Sequence, residues 1–332
     1  PYHYSRMTNP TCEVAEQKIA ALQGTERCKL FVSGMSAITT AILASVKAGS
    51  HVVCIESCYG PTRQFIEQYL TKFGVTSTFV IGEDSQEIFD ACRPETSLIF
   101  LESPTSTVFR LQDLEAIGAF AKERGINTAI DNTYASPFYQ NPTKFGIDYV
   151  LHTGSKYLGG HSDLIAGALC CSHERMDSIM ANELPVFGHA LPPFQAWLIT
   201  RSLRTMHLKI KAVQECADKV ALWLRTQPKV QHVYHVGFDD HPQAALRDKQ
   251  MTGTTGLISF VPKDQSRESV RKFTEATRLF RLGVSWGGHE SLIIPLEFQP
   301  MDWPEKKWVV RLYCGLEHPD DLIEDLEQAF GK

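Results

Sequence analysis

The stretch Leu151-His-Thr-Gly-Ser-Lys-Tyr-Leu-Gly-Gly-His-Ser-Asp163 sets one lysine, Lys156, among small hydroxyl and glycine residues. It follows directly on an apolar run, Asp148–His152, that reads as a strand. Upstream, a second apolar run closes in Ala129-Ile-Asp-Asn-Thr133 and places Asp131 near the end of a neighbouring strand. A lysine that can form a Schiff base, together with a carboxylate that can hold a pyridine nitrogen, is the minimum equipment of pyridoxal phosphate (PLP) chemistry. Each residue alone has a plainer reading, the lysine as a surface charge and the aspartate as a turn former.

Outward from this stretch, short apolar runs alternate with longer amphipathic ones. Lys29–Ser33, His51–Glu56, Val75–Ile81, Ser97–Glu102, Asn127–Asp131, Asp148–His152 and Ile165–Cys171 are predicted strands, with helices at Ser36–Val46, Thr62–Phe73 and Leu111–Arg124. This rhythm predicts strand–helix crossovers and a mostly parallel sheet covered on both faces, an α/β fold. Functional groups then gather at the carboxyl ends of the strands. After Leu198 the pattern changes. Ser202–Leu224 reads as one long helix, Gln231–Val236, Gly256–Val261 and Val309–Cys314 as strands, and Ser266–Thr277 and Asp320–Phe330 as helices, giving a smaller α+β unit. Pro319 and the acids after it suit a helix start.

Composition narrows the functional classes. The 332 residues are 43% hydrophobic and 21% charged, enough for a large core and for two domains. A net charge of -5 speaks against a broad nucleic-acid footprint. No apolar run approaches the roughly 18 residues of a membrane-helix candidate, and no signal peptide is evident. Nine cysteines without a CxxC pair read as buried free thiols of an intracellular, cytoplasmic protein. The twelve histidines form no HExxH, so no metal site is expected.

Ser33-Gly34-Met35-Ser36-Ala37 joins a predicted strand to a predicted helix, where small residues let backbone N–H groups approach an anion such as a phosphate. It lacks the GxxxxGK[ST] of a nucleotide loop, and a tight packing turn is the plainer alternative. Thr153 and Ser155 flank Lys156 with hydroxyls. His161, Ser162 and Asp163 are merely adjacent, which makes no triad, and there is no GxSxG elbow. Tyr59 leaves a strand and either packs or stacks on an aromatic cofactor and exchanges a proton. Arg311 interrupts the apolar run Trp308–Leu312, and its guanidinium either pairs with an acid or clamps a carboxylate bidentately.

Taken together, these motifs resemble the Cys/Met-metabolism PLP-dependent family of cystathionine lyases and synthases, methionine γ-lyases and sulfhydrylases. The resemblance runs from Tyr4-Ser-Arg-Met-Thr-Asn-Pro-Thr11 through SGMSA at 33–37, CYGPT at 58–62, ESPTS at 102–106, AIDNT and TGSKYLGGHSD. It continues in Ser285-Trp-Gly-Gly-His-Glu-Ser-Leu292 and Val310-Arg-Leu-Tyr-Cys-Gly-Leu-Glu317. It implies a fold type I PLP-dependent enzyme, with a partial N-terminal arm at 1–10, a PLP-binding α/β domain at 11–201 and a C-terminal α+β domain at 202–332.

The same resemblance implies roles. Lys156 would carry the cofactor, Asp131 would partner the pyridine nitrogen, and Tyr59 would stack on the ring. Gly34 and Met35 would offer backbone N–H groups to the phosphate, joined by Thr153 or Ser155 hydroxyls. Tyr4 and Arg6 would reach the phosphate of a neighbouring subunit, implying a homodimer with shared sites, commonly paired into a homotetramer. Arg311 would bind the substrate carboxylate, aided by the backbone near Ser285 and Trp286. Trp286, Ser106 in place of a common asparagine, and a non-acidic Val284 point toward β-elimination from cystathionine or a related cysteine thioether. Pro61 departs from the cysteine typical of methionine γ-lyases. Met7–Thr11 and Trp197, where the β-lyases have a tyrosine near the site, keep γ-lyase and γ-replacement chemistry as alternatives.

Overall fold

Seven strands form the larger sheet: β1 (Arg27–Phe31), β2 (His51–Ile55), β3 (Thr76–Val80), β4 (Thr96–Glu102), β5 (Asn127–Asp131), β6 (Tyr149–Thr153) and β7 (Gly167–Cys171). The structure, a computed structural model, describes residues 2–331. The sheet order is β1-β7-β6-β5-β4-β2-β3. Only β7 runs against the others, pairing antiparallel with both β1 and β6, so the sheet is mostly parallel.

Alternation along the strands divides the core. Val53, Ile55, Ile99, Leu101, Ile130, Val150 and Ala168 face one hydrophobic cluster. Their neighbours Val52, Cys54, Leu98, Phe100, Ala129, Leu151 and Leu169 face the other. Successive side chains of a strand point to opposite faces, and a sheet covered on both sides needs apolar residues at nearly every position. That is why these strands read as unbroken apolar runs.

The first helix, α1 (Pro10–Gln23), escaped the sequence reading. Asn9 caps it by accepting from the Thr11 and Cys12 N–H groups, Pro10 opens it, and Gly24 ends it at φ 69°. The helix expected from Ser36 begins earlier as α2 (Gly34–Leu43), capped by the Ser33 hydroxyl. The single helix expected at Thr62–Phe73 is instead α3 (Gly60–Gln64), a π turn at Phe65–Tyr69 and a 3-10 turn at Leu70–Phe73, closed by Gly74 at φ 74°. The long helix expected at Ser202–Leu224 is likewise two, Pro193–Leu203 and Met206–Arg225. Thr205 takes a non-helical conformation between them.

A second sheet of five strands contains β8 (Val230–Tyr234), β9 (Leu257–Pro262), β10 (Arg281–Leu282), β11 (Leu292–Phe298) and β12 (Lys307–Tyr313), in the order β10-β11-β12-β9-β8. Phe260, Ile293, Val310 and Leu312 pack on it beneath Leu224, Val270 and Leu326 of three helices. Strand β11 is absent from the sequence reading because Pro295 interrupts it. From Ile294 onward β11 has only β12 as a strand neighbour, which is where a sheet tolerates proline. The final helix starts as its sequence predicts, with His318 capping the Asp320 N–H and Pro319 in the first turn. Between the two sheets, Arg110 donates to both oxygens of Asp302 at 2.8 and 2.7 Å, and the Met301 N–H donates to Glu56 at 3.1 Å. Among the described residues, no helix is long and apolar enough to cross a membrane.

Candidate active site

The strand ends put the predicted groups along one edge of the large sheet. β1 leads into Ser33 and α2, β2 into Tyr59, β4 ends at Glu102, β5 at Asp131, and β6 runs into Lys156. The Gly34 and Met35 N–H groups open α2 with no acceptor among the described residues, since the Ser33 hydroxyl takes the Ser36 N–H. A helix start with free N–H groups favours an anion. Thr153 stands beside them: a side chain at position 34 would lie 2.2 Å from its Oγ1. A side chain at position 167, the start of β7, would strike the Ser33 carbonyl at 2.1 Å. Glycine is required at both places by close approach, and the resulting cradle has the donors and the space a phosphate needs. Ser155, the other expected hydroxyl, is engaged with Ala166, accepting its N–H at 3.1 Å.

Asp131 is buried, and one of its oxygens accepts both the backbone N–H and the hydroxyl of Thr133. The Thr133 hydroxyl in turn accepts the Thr153 N–H at 2.8 Å, which links Asp131 to the start of the loop that carries Lys156. Burial raises the Asp131 carboxyl, while Thr133 and the Lys156 charge oppose the rise. A donor such as a protonated pyridine nitrogen would satisfy its remaining lone pairs.

Lys156 Nζ donates to the Ser285 hydroxyl at 2.6 Å and lies 5.3 Å from the centre of the Trp286 ring. Burial and the nearby Arg311 lower its amine to about 8, against a smaller upward pull from Asp131. Trp286 is steadied by Tyr157, ring centres 5.5 Å apart. Arg311 lies on β12 between buried Val310 and Leu312, and burial lowers its pKa to about 10. It donates to the carbonyls of Val284 and, more weakly, Ser285, at 2.6 and 3.5 Å. These two carbonyl oxygens orient the guanidinium.

Other predicted residues are placed less directly. Tyr59 is half exposed, and its backbone N–H donates to Glu102 at 2.7 Å. The Ser106 hydroxyl, expected to face substrate, donates to the other Glu102 oxygen at 2.5 Å. Met35 turns its sulfur toward the Thr62 hydroxyl in α3, beside Pro61. Tyr4 and Arg6 stack on each other, with Arg6 donating to the Pro185 carbonyl; neither makes a recorded contact with Lys156 or the start of α2 of its own chain. Trp197 is half exposed and stacks on Phe194, away from the lysine's contacts. Glu102 and Thr133 escaped the sequence reading although both stand inside quoted motifs. The available signal was their position at strand ends beside Asp131.

Comparison with known proteins now bears on this geometry. The family model described as "Cys/Met metabolism PLP-dependent enzyme" matches residues 1–331. The chain belongs to this family. As a Cys/Met-metabolism PLP-dependent enzyme it is 35% identical to a cystathionine beta-lyase of Bacillus subtilis, over 99% of this chain and 86% of that protein. It is 34% identical to a cystathionine gamma-lyase of the same organism, over 99% of this chain and 88% of the relative. The structure also matches the crystal structure of metB from Corynebacterium glutamicum with a TM-score of 0.93 at 32% identity, covering 99% of this chain and 87% of that one. The fold is therefore the type I PLP architecture, with PLP as the cofactor of this enzyme.

Proposed function

We propose that this PLP-dependent carbon–sulfur enzyme carries out β-elimination on cystathionine or a related cysteine thioether, giving pyruvate, ammonia and a thiol. The observation that carries the reading is the confinement of the Lys156 amine between the Ser285 hydroxyl and the Trp286 indole. A β-elimination asks the amine to remove one proton, at Cα. A γ-elimination asks it also to reach Cβ, a second task for an amine hydrogen-bonded to Ser285 with the Trp286 ring centre 5.3 Å away. The second reading, γ-elimination to 2-oxobutyrate, draws on nearly equal identity to β- and γ-lyases.

In the proposed reaction Arg311 binds the substrate carboxylate, and Tyr59 takes a proton from the incoming α-amine. Lys156, freed when the substrate amine takes its place on the cofactor, would remove the Cα proton and hand it to the sulfur as the Cβ–S bond breaks, so that a thiol leaves. Asp131 keeps the pyridine nitrogen protonated. When bound, PLP would supply the electron sink for charge at Cα. Released aminoacrylate hydrolyses to pyruvate and ammonia. Gly34, Met35 and Thr153 would hold the phosphate, with Ser155 supporting the loop.

The shared homodimeric site, paired into a homotetramer, and cytoplasmic location remain part of this proposal. Support for the shared site comes from the N-terminal arm. Tyr4 is exposed, and the buried Lys29–Glu16 pair, at 3.0 Å, anchors the Met7 carbonyl at 3.1 Å.

Product analysis by mass spectrometry, with cystathionine, cystine, methionine and O-acetylhomoserine supplied separately, tests the reaction. Pyruvate with homocysteine from cystathionine is the expected result. Cysteine with 2-oxobutyrate, or a product requiring an added thiol, would overturn the β-elimination reading.

The lowered Lys156 amine also sets a pH dependence for cofactor loading. Only the neutral amine attacks an aldehyde, and it becomes the major form above about 8 instead of above the ordinary 10.5. The rate of covalent loading of apoprotein should rise with pH and level off just above 8. A rate still climbing steeply at pH 10, followed by absorbance in stopped flow, would refute the lowered amine. Removing the Arg311 charge should move the midpoint upward.

A further inference from the structure

Glu102 has no task in the reaction just described, yet it sits at its centre. Its carboxyl is buried at the end of β4, in register with Asp131 on β5. Paired positions on neighbouring parallel strands project to the same face of a sheet, so both acids belong to one wall of the site. Burial and the Asp131 charge push the Glu102 carboxyl well above the usual carboxylate range. No cation pairs with it among the described residues. Burying a carboxyl there is costly, and its retention calls for a use.

The use is visible in its two oxygens. One accepts the Tyr59 backbone N–H at 2.7 Å, and the other accepts the Ser106 hydroxyl at 2.5 Å. Tyr59 is the N-cap of α3, and Glu102 is the one acceptor of its N–H among the described residues. The two loops are also joined by the Ser106 N–H on the Ser57 carbonyl at 3.2 Å. We propose that Glu102 is a positioning residue that fixes the Tyr59 ring against PLP by holding the Tyr59 N–H and the Ser106 hydroxyl at once. The proposal rests on the reading of Tyr59 as the ring's stacking partner.

A double-mutant cycle on cofactor affinity tests it, read by PLP titration and by near-ultraviolet circular dichroism of the bound cofactor. Glu102→Gln keeps the size but replaces one acceptor oxygen with a donor; Glu102→Asp keeps both oxygens but withdraws them from both donors. Each should weaken PLP binding about tenfold and change the dichroism, a coupling expected of groups in direct contact. In a Tyr59→Ala background the same substitutions should cost less than about threefold. Equal losses in both backgrounds would overturn the proposal, as would an Asp variant that binds PLP like the parent, because that result shows that reach to both donors is not needed. A Tyr59→Ala protein with unchanged affinity and dichroism would overturn the stacking reading itself, and the proposal with it. Either Glu102 variant alone completes the cycle should the other fail to fold.

Discussion

Lys156→Ala should yield a folded protein that takes up PLP without any adduct trappable by borohydride, and with turnover reduced beyond the roughly 10²–10⁴-fold worth of a single acid–base group. The excess follows from two roles lost together, covalent attachment and Cα proton transfer. Folding should survive because Lys156 is only partly buried and the substitution leaves Ser285 and Trp286 in place. Mass spectrometry of reduced, digested wild-type protein checks the assignment. An adduct on a different lysine, or turnover retained in the variant, would remove Lys156 from the mechanism.

Arg311→Ala should lower kcat/KM by about 10²–10⁴ for every amino-acid substrate while leaving the product pattern unchanged. Hydrogen bonds to charged groups are worth about 1.5–3 kcal/mol each, and a guanidinium offers a carboxylate two of them. Two carbonyls, of Val284 and Ser285, already aim the fork, so the substrate receives a group whose orientation is set in advance. Arg311→Lys should recover only part of the loss, because an ammonium cannot reproduce the fork. Steady-state kinetics with two or more substrates measures both effects. A loss confined to one substrate would mean that Arg311 reads the side chain and not the carboxylate.

Much of the large sheet was legible because its strands are covered on both faces. Asn127–Asp131 matches its predicted bounds, and the other strands of that sheet lie within a few residues of theirs. What escaped was structure whose signal lies outside apolar runs. The caps of α1, Asn9-Pro10 at one end and Gly24 at the other, were present in the sequence, but the helix between them carries too many polar residues to stand out. Strand β11 was hidden by Pro295, whose tolerance depends on an edge that only the tertiary fold reveals. At the site, residues matched to family motifs by chemistry were readable: a lysine, an aspartate and an arginine each announce a charge. Glu102 was quoted but not used, because its importance comes from register with Asp131 and from two donors on different loops. The bond of the Ser106 hydroxyl to Glu102 was hidden for the same reason. Its residue type suggested a substrate contact, whereas the nearest strong acceptor is the buried acid four positions before it.

The reversed strand β7 carries a consequence for biosynthesis. β1, which leads into the phosphate cradle, has no strand neighbour in the sheet except β7, and Arg27 there is paired with Cys171. A ribosome must therefore release nearly the whole of the first sheet before the cradle's own strand can be seated. Contacts so distant along the chain form late and slowly. A nascent chain ending before Gly167 contains Lys156 and Asp131 but lacks the glycine edge against Ser33, so a ligand that needs the whole cradle is expected to find it only after that strand emerges. Its stabilisation by mass action arrives only once the last strand has been threaded between β1 and β6.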